Sequence, residues 1–286
     1  MQKTSRRTFF RSVAGAGALA ATRTLPLSAE ASDISGLKLA FVQVSDTHLS
    51  TQRLYSEWQR FDVPSEESIR RNRLAVTDIN ACSLPYELIV HTGDVAHTRE
   101  TTVDYDLAKE ILRFKRPAYY VPGNHDLGYS ETDKYRPAFE ERFGPANQAI
   151  EPVPGLRFAL FDSQPLDTRA PDTHREEAFR QLDRILTPPK PTILFCHVMG
   201  LPSFHVNQLH EGWPPELMRR WTQRMKQGGV LAVLAGHFHR DEYHIVNGLP
   251  FHLAGPVINF WGRQTCYRHW SLENGALTHR TIYLEI

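Results

Sequence analysis

The sequence predicts an α/β fold from two observations. Apolar segments rich in Val, Leu, Ile and Phe alternate along the chain with segments whose apolar residues recur at helical spacing. The apolar segments are nearly continuous, which is typical of strands that are buried on both faces of a sheet. The C-terminal part instead contains two hairpin signals, Asn247-Gly248 and Asn274-Gly275, which indicate antiparallel strands. The strands are therefore expected to form either one mixed sheet or two sheets.

The predicted elements follow one another in a regular order. The strands are LKLAFVQVSD, ELIVHTGD, AYYVPGNHD, RFALFDS, TILFCH and VLAVLAGH. The first helix is expected to open at Ser65 as its cap, with an acidic first turn. Four more helices are predicted from apolar stripes: Val103, Leu107, Ile111 and Phe114; Tyr135, Phe139 and Phe143; Phe179, Leu182 and Leu186; and Leu217, Met218, Trp221 and Met225. A β-meander is predicted from His244 onward, and residues 33–286 are predicted to form one domain.

The first 31 residues are typical of an export signal. The segment SRRTFF places Arg6 and Arg7 before aromatic residues, and the following run VAGAGALAA is too short to span a membrane. An Ala-x-Ala cleavage site ends at Ala31. The pattern resembles a bacterial twin-arginine signal, the alternative being a disordered basic tail. We therefore expect residues 1–31 to be removed on export by the twin-arginine machinery, to a periplasmic or extracellular location, with no stable membrane insertion afterwards.

Charge and cysteine content limit the classes of partner. The chain has 33 basic and 32 acidic residues, and removal of the signal takes away five basic residues and one acidic residue. The mature chain would then carry a net charge of −3, so no basic excess favours a nucleic-acid partner. Three cysteines, an odd number, do not indicate a disulfide framework.

Five predicted strands end in Asp, Asn or His side chains. These endings are Asp46-Thr47-His48, Gly93-Asp94, Gly123-Asn124-His125-Asp126, His197 and His237-Phe238-His239. The carboxyl ends of strands are where open α/β sheets place their ligands. A polar turn explains one such ending, but it does not explain five that use only these three residue types.

The strand endings supply more metal ligands than one ion needs. The seven candidates are Asp46, His48, Asp94, Asn124, His197, His237 and His239. Two ions about 3.5–4 Å apart, bridged by a carboxylate, fit that number. Asp-x-His and His-x-His are expected to place both side chains on one side of an extended segment. Oxygen and imidazole ligands favour Fe or Mn, with Zn possible, and the lack of thiolate argues against a structural zinc site.

Taken in order, these motifs resemble those of the calcineurin-like metallophosphoesterases, and the resemblance runs from Asp46 to His239. It implies a two-sheet α/β/β/α sandwich with a dinuclear metal site at the C-terminal ends of the strands, which hydrolyses phosphoesters. It also implies the distribution of the ligands. One metal would bind Asp46, His48 and His239, the other would bind Asn124, His197 and His237, and Asp94 would bridge the two.

The resemblance further implies a role for His125, which is not a ligand in the family pattern. It would face the substrate and assist the leaving oxygen during in-line attack by a metal-bridging hydroxide. Asp126 is expected to orient His125 or another ligand. His97 lies at the offset where purple acid phosphatases carry a metal-binding tyrosine, so that branch is not favoured. His97 either contacts a ligand or the substrate, or has no special role.

Substrate contacts are expected from loops near the strand ends. In the segment GPVINFWGR, Trp261 and Arg263 are candidates to stack a base or pair a phosphate, the alternative being ordinary loop packing. We predict an exported phosphodiesterase for a small phosphoester, with motifs closest to the bacterial cyclic-nucleotide and glycerophosphodiester branch. A phosphomonoesterase on the same site is the alternative. A nuclease and a non-catalytic binding protein are less favoured.

Overall fold

Two six-stranded sheets form the centre of the fold. The computed structural model describes residues 23–25, 34–205 and 208–285 of the chain. Arg6, Arg7 and the predicted cleavage site at Ala31 therefore lie outside the described residues. Residues 23–25, which belong to the predicted signal, form a short edge strand. The site described below lies in the other two ranges.

The spatial order of the strands in each sheet differs from their order along the chain. Across the first sheet it is β1 (Arg23–Leu25), β16 (Ala276–Tyr283), β15 (Cys266–Glu273), β2 (Leu39–Val44), β5 (Leu88–Thr92) and β6 (Ala118–Val121). Across the second it is β13 (Glu242–Val246), β14 (Leu249–Leu253), β12 (Val230–Ala235), β9 (Thr192–Phe195), β8 (Leu156–Leu160) and β7 (Gln148–Val153). Two small hairpins are formed by β3 (Leu54–Ser56) with β4 (Phe61–Val63), and by β10 (Ser203–His205) with β11 (Gln208–His210).

Both sheets are mixed, and each combines parallel and antiparallel strands. In the first, β2, β5 and β6 are parallel, whereas β15 pairs antiparallel with β2. In the second, β14, β12, β9 and β8 are parallel, and the edge strands β13 and β7 are antiparallel. The parallel strands of each sheet end on the same side, so the polar residues that follow them are brought to one edge.

The two sheets pack face to face, and helices cover their outer faces. Phe41 of β2 lies 4.9 Å, ring centre to ring centre, from Phe158 of β8 and 5.8 Å from Phe195 of β9. The helices are α1 (Ser65–Ala81), α2 (Val103–Ile111), α3 (Asn124–Leu127), α4 (Thr132–Phe143), α5 (Asp172–Leu186) and α6 (Pro215–Gln227). The first sheet is covered by α1, α2 and α4, and the second by α5 and α6. The predicted α/β/β/α sandwich is confirmed.

Two details differ from the sequence-based expectation. Ser65 is the first helical residue of α1 and not its cap, and Pro64 occupies the N-cap position. The predicted β-meander is wrong, since its two hairpins belong to different sheets: β13–β14 to the second and β15–β16 to the first. Between Leu253 and Cys266 the chain crosses from one sheet to the other, and this crossing contributes to the site described below.

Among the described helices, none combines the length and the apolar character that crossing a lipid bilayer requires.

Candidate metal centre

The seven predicted ligands converge at the carboxyl ends of five parallel strands. Asp46 and His48 follow β2, Asp94 follows β5, and Asn124 follows β6. From the second sheet, His197 follows β9, and His237 and His239 follow β12. The site therefore lies where the edges of the two sheets meet.

Asp94 lies at the middle of this constellation. Its Oδ2 atom is 3.1 Å from Nε2 of His197 and 3.4 Å from Nε2 of His48. The candidate ligand atoms form two compact groups, each within 4.8 Å: Asp46, His48, Asp94 and His239 in one, and Asp94, His197 and His237 in the other. Asp94 is the residue that the two groups share, which is the position expected of a bridging carboxylate.

The backbone that carries these side chains is not extended, so the expected geometry for Asp-x-His and His-x-His is wrong. Strand β2 ends at Val44, and the φ angles of five candidate ligands are positive. They are 52° at Asp46, 40° at His48, 53° at Asp94, 74° at His237 and 52° at His239. Such angles cost on the order of 1–3 kcal/mol per non-glycine residue and persist only where the surroundings enforce them.

Hydrogen bonds between loops enforce this conformation. The backbone N–H of Asp46 donates to the carbonyl of Gly93, and that of His48 donates to the carbonyl of Asp94, both at 3.0 Å. On the other side, Val257 and Ile258 donate to the carbonyls of Ser45 and Asp46 at 3.0 and 3.1 Å. The β2 loop is thus held from both sides while its side chains face the centre.

Two glycines of the motifs leave room for ligands. A Cβ atom on Gly123 would lie 2.1 Å from Oδ1 of Asp94, and one on Gly93 would lie 2.5 Å from Nδ1 of His197. Any side chain at either position would displace a candidate ligand. The Gly-Asp and Gly-Asn-His-Asp patterns therefore have a steric cause, since the backbone must approach the metal centre closely.

Burial and charge set the protonation of the centre. Burial lowers the pKa of His48 well below its ordinary value and that of His237 to about 3, so both imidazoles are neutral and offer a lone pair. Burial pushes the pKa of Asp94 up, but His197, His125 and His48 outweigh it and hold that pKa well below the usual range. For His197, burial is outweighed by the carboxylates of Asp94 and Asp46, which raise its pKa to about 9. The negative charge of these two carboxylates, which favours a proton on His197, also favours a metal cation beside it.

Asp126 connects two of the motif loops instead of contacting the side chain of His125. Its carboxylate accepts hydrogen bonds from the backbone N–H groups of Val95 (3.1 Å), Ala96 (3.0 Å) and Gly123 (2.7 Å). Asp126 is fully buried, and burial together with the nearby Asp94 raises its pKa to about 7. Of the two expectations for Asp126, the geometry agrees with the second: it holds the loop that carries Asp94.

His125 is held by two hydrogen bonds that leave one edge of its ring facing the cleft. Its Nδ1 donates to the backbone carbonyl of His97 at 2.8 Å, and its backbone N–H donates to Oδ1 of Asp94 at 2.8 Å. Because Nδ1 is engaged, Nε2 is the nitrogen available to a substrate, and His125 lines the cleft described next.

His97 lies between His125 and His48. The ring of His97 stacks on that of His125 with ring centres 4.7 Å apart, and Nδ1 of His97 lies 3.2 Å from Nδ1 of His48. His97 therefore contacts a candidate ligand from the side away from Asp94.

A cleft of about 490 Å³ opens above the centre, a volume typical of small-molecule sites. Both loop residues that the sequence suggested for substrate contact, Trp261 and Arg263, line it. Trp213, which also lines it, belongs to the segment of residues 200–215 after His197, a second loop from which substrate contacts are expected, whereas the sequence did not single out Trp58, Phe61, Tyr129, Asp167 and Arg169. In the sequence, Trp58 is distinguished only as a tryptophan within a polar segment. Nothing in the local pattern indicates that this segment folds over the strand ends.

Residues 39–241 match the sequence model of the calcineurin-like phosphoesterases, and that range contains all seven candidate ligands and most of the described chain. The chain belongs to the calcineurin-like phosphoesterase family. It is accordingly a hydrolase that acts on phosphoric esters.

Two curated relatives from this calcineurin-like family differ in their named activities. The 3′,5′-cyclic adenosine monophosphate phosphodiesterase CpdA of Escherichia coli (strain K12) is 30% identical over 109 residues, which cover 36% of this chain and 34% of CpdA. The match thus spans about a third of that relative. The serine/threonine-protein phosphatase CPPED1 of Mus musculus is 26% identical over 222 residues, covering 70% of this chain and 69% of CPPED1.

Solved structures agree with the calcineurin-like fold. A dimetal phosphatase from Danio rerio superimposes with a TM-score of 0.58 at 14% identity, covering 84% of this chain and 98% of that one. GAP50, the anchor in the inner membrane complex of Plasmodium, has a TM-score of 0.57 at 14% identity, with 87% and 89% covered. At this level of identity the similarity is one of fold.

The residues of this phosphoesterase fit the dinuclear centre that its family implies. The side-chain oxygen of Asn124 is buried and accepts no hydrogen bond from any described residue, as expected of an oxygen reserved for a cation. Nδ1 of His197 donates to the carbonyl of Thr92 at 2.7 Å, which fixes the ring and points Nε2 at Asp94. Metal-binding histidines are commonly held in this way. The centre also buries the carboxylates of Asp46 and Asp94, which need compensating positive charge.

Proposed function

We propose that the chain is an exported phosphodiesterase that uses two metal ions, with Fe or Mn favoured and Zn accepted by the same donors. The observation that carries the diester assignment is the shape of the cleft. Its lining includes Trp58 and Trp261, from the β3–β4 hairpin and the crossing between the sheets, and Arg169 and Trp213, from loops that follow β8 and β9 of the second sheet. A phosphodiester carries two alcohol groups that point away from the phosphorus, and the cleft lining offers aromatic side chains from loops of both sheets to contact them.

The charge of the cleft floor also supports a diester. The residues of the centre that line the cleft are His48, Asp94, Asn124, His125, His237 and His239, and none of them is a lysine or an arginine; the arginines of the lining, Arg169, Arg240 and Arg263, come from other segments. A diester carries one negative charge at neutral pH, whereas a monoester carries nearly two and needs more cationic groups around the phosphate. The resemblance to CpdA, a phosphodiesterase by name, points the same way.

The residues of the chain have separate tasks in this proposal. The seven ligands would hold the ions, with Asp94 between them and Asp126 fixing its loop. Bound ions would supply Lewis-acid stabilisation of the phosphoryl oxygens and would acidify a water molecule. The carbonyl of His97 orients His125 so that its Nε2, when protonated, gives a proton to the departing alkoxide.

A phosphomonoesterase is the second candidate, because the CPPED1 relatives are named phosphatases and match about 70% of the chain. The two candidates are separated by comparing kcat/KM for bis-p-nitrophenyl phosphate and p-nitrophenyl phosphate with Mn²⁺ present. We expect the diester to be preferred by at least roughly tenfold, a difference of about 1.4 kcal/mol in transition-state stabilisation. A preference of that size for the monoester would overturn the diester assignment.

Export by the twin-arginine route is proposed from the sequence of residues 1–31. Replacing Arg6 and Arg7 with Lys is expected to keep an active, metal-loaded precursor in the cytoplasm and to abolish the periplasmic protein. The measurement is the activity and metal content of cell fractions. The matched control replaces Arg11 and Arg23, which lie outside the arginine pair, with Lys. Unchanged periplasmic yield in the Arg6/Arg7 variant would contradict the proposed route.

A further inference from the structure

Two exposed tryptophans face the cleft of the metal centre. Trp58 is 59% exposed and Trp261 is 38% exposed, and both line the cleft. Exposed apolar side chains grouped around a cleft mark candidate ligand-binding surfaces. The two tryptophans come from distant parts of the chain, the β3–β4 hairpin and the crossing between the two sheets.

A small separate core supports Trp261. Phe61 and Phe260 stack with ring centres 4.0 Å apart and an interplanar angle of 14°, and they belong to a cluster with Leu54, Val63 and Ile258. Phe260 also lies parallel to the ring of His239, at 5.5 Å and 10°. A continuous set of aromatic rings thus leads from the metal centre to the rim. We call these three rings, Phe61, Phe260 and Trp261, together with Trp58 from the turn of the β3–β4 hairpin, which lines the same cleft, the aromatic wall.

Trp261 is held in a strained conformation. Its φ angle is +55°, which is unusual for a bulky residue. Its Nε1–H donates to the backbone carbonyl of Gln59 at 2.5 Å, which ties the crossing segment to the turn of the β3–β4 hairpin. The indole packs edge-on against Phe61 and lies 5.2 Å from the ring of His239. This arrangement holds the indole in one orientation beside a candidate metal ligand.

Arg263 adds a cation to the same side of the cleft. Among the described residues, no hydrogen-bond or ion-pair partner engages its guanidinium. The other two arginines that line the cleft are engaged: Arg169 binds both oxygens of Asp167, and Arg240 binds Glu242. Arg263 is therefore the guanidinium that is available to a substrate anion.

We propose that the aromatic wall and Arg263 form a subsite for a nucleoside-type alcohol of the substrate. A planar heteroaromatic ring stacks on Trp261 and Trp58, and a second anionic group on the same alcohol pairs with Arg263. The inference rests on the proposed phosphodiesterase function and names its substrate class. It separates nucleoside esters from glycerol esters, because glycerol has no ring to cover the tryptophans.

The test compares inhibition by two monophosphates, with methyl p-nitrophenyl phosphate as the reporter substrate. Thymidine 5′-monophosphate is expected to have an inhibition constant roughly tenfold lower than that of glycerol 3-phosphate, in line with stacking of one base. Trp261→Ala and Trp58→Ala should each remove most of this difference in inhibition constants, in variants that are folded and keep the wild-type metal content. Arg263→Gln should weaken thymidine 3′,5′-bisphosphate more than the 5′-monophosphate.

Tyr55→Ala is the matched control. Tyr55 is 61% exposed on the same hairpin but does not line the cleft, so its loss should leave the ratio of the two inhibition constants unchanged.

Two outcomes would overturn the subsite. One is equal inhibition by the two monophosphates, and the other is a ratio of inhibition constants that survives both tryptophan substitutions in folded variants. If the reporter diester is not hydrolysed at all, the phosphodiesterase proposal fails instead. Calorimetric titration with the same two monophosphates then still decides whether the aromatic wall binds the base.

Discussion

Replacing Asp94 with Ala is expected to release both metal ions and to abolish hydrolysis. Its Oδ2 lies between His197 and His48, one from each group of candidate ligands, so its loss affects both ions at once. Loss of a contact behind a ligand typically costs 10–100-fold in metal affinity, and we expect loss of the shared ligand to exceed that range. The measurements are metal content by elemental analysis and kcat/KM for a diester. We expect well under one ion per chain and a loss of at least about 10³-fold in kcat/KM.

Two variants make this prediction specific. Asn124→Ala removes a residue assigned to one ion only, so it should retain more metal and more activity than Asp94→Ala. Asp104→Asn changes another fully buried aspartate, which accepts hydrogen bonds from Thr51 outside the centre, and it should retain both ions. Two retained ions in a folded Asp94 variant would contradict the shared-ligand assignment. So would an Asn124 variant that loses as much metal as the Asp94 variant.

Replacing His125 with Ala is expected to lower kcat by roughly 10²–10⁴-fold while both ions stay bound. The ions should stay because the contact of this residue with the ligand Asp94 is made by the backbone N–H, at 2.8 Å, and alanine keeps that donor. What is lost is the Nε2 that faces the cleft. If that nitrogen protonates the leaving alkoxide, the loss should be large for an alkyl leaving group and small for p-nitrophenolate, which leaves without a proton.

The leaving-group comparison decides the role of His125. It requires kcat for methyl p-nitrophenyl phosphate and for a dialkyl phosphodiester, in the wild type and in the variant, with metal content measured alongside. His244→Ala is a suitable control, because His244 pairs with Glu242 and does not line the cleft. An equal loss for both leaving groups would remove His125 from proton transfer and leave it a role in binding.

The candidate ligands of the centre could be proposed from the sequence because their positions depend on the order of the strands along the chain. Each of the parallel strands β2, β5, β6, β9 and β12 is a mostly apolar run, and the polar residue that follows such a strand must emerge at the common edge. The same reasoning does not predict backbone conformation. The positive φ angles at Asp46 and Asp94 arise from hydrogen bonds between loops that meet only after the sheet has formed. The extended geometry expected for Asp-x-His was wrong for that reason.

By itself, the sequence determined the α/β class, the identity and order of the candidate ligands, and the proton donor candidate beside them. The tertiary structure decided which side chains support them. Asp126 holds the loop of Asp94 through three backbone N–H groups, and this depends on how two loops fold around one carboxylate. The aromatic wall joins Phe61 to Phe260, which lie far apart along the chain. Such a pairing leaves no local periodicity, because it is created when the crossing between the sheets packs against the β3–β4 hairpin.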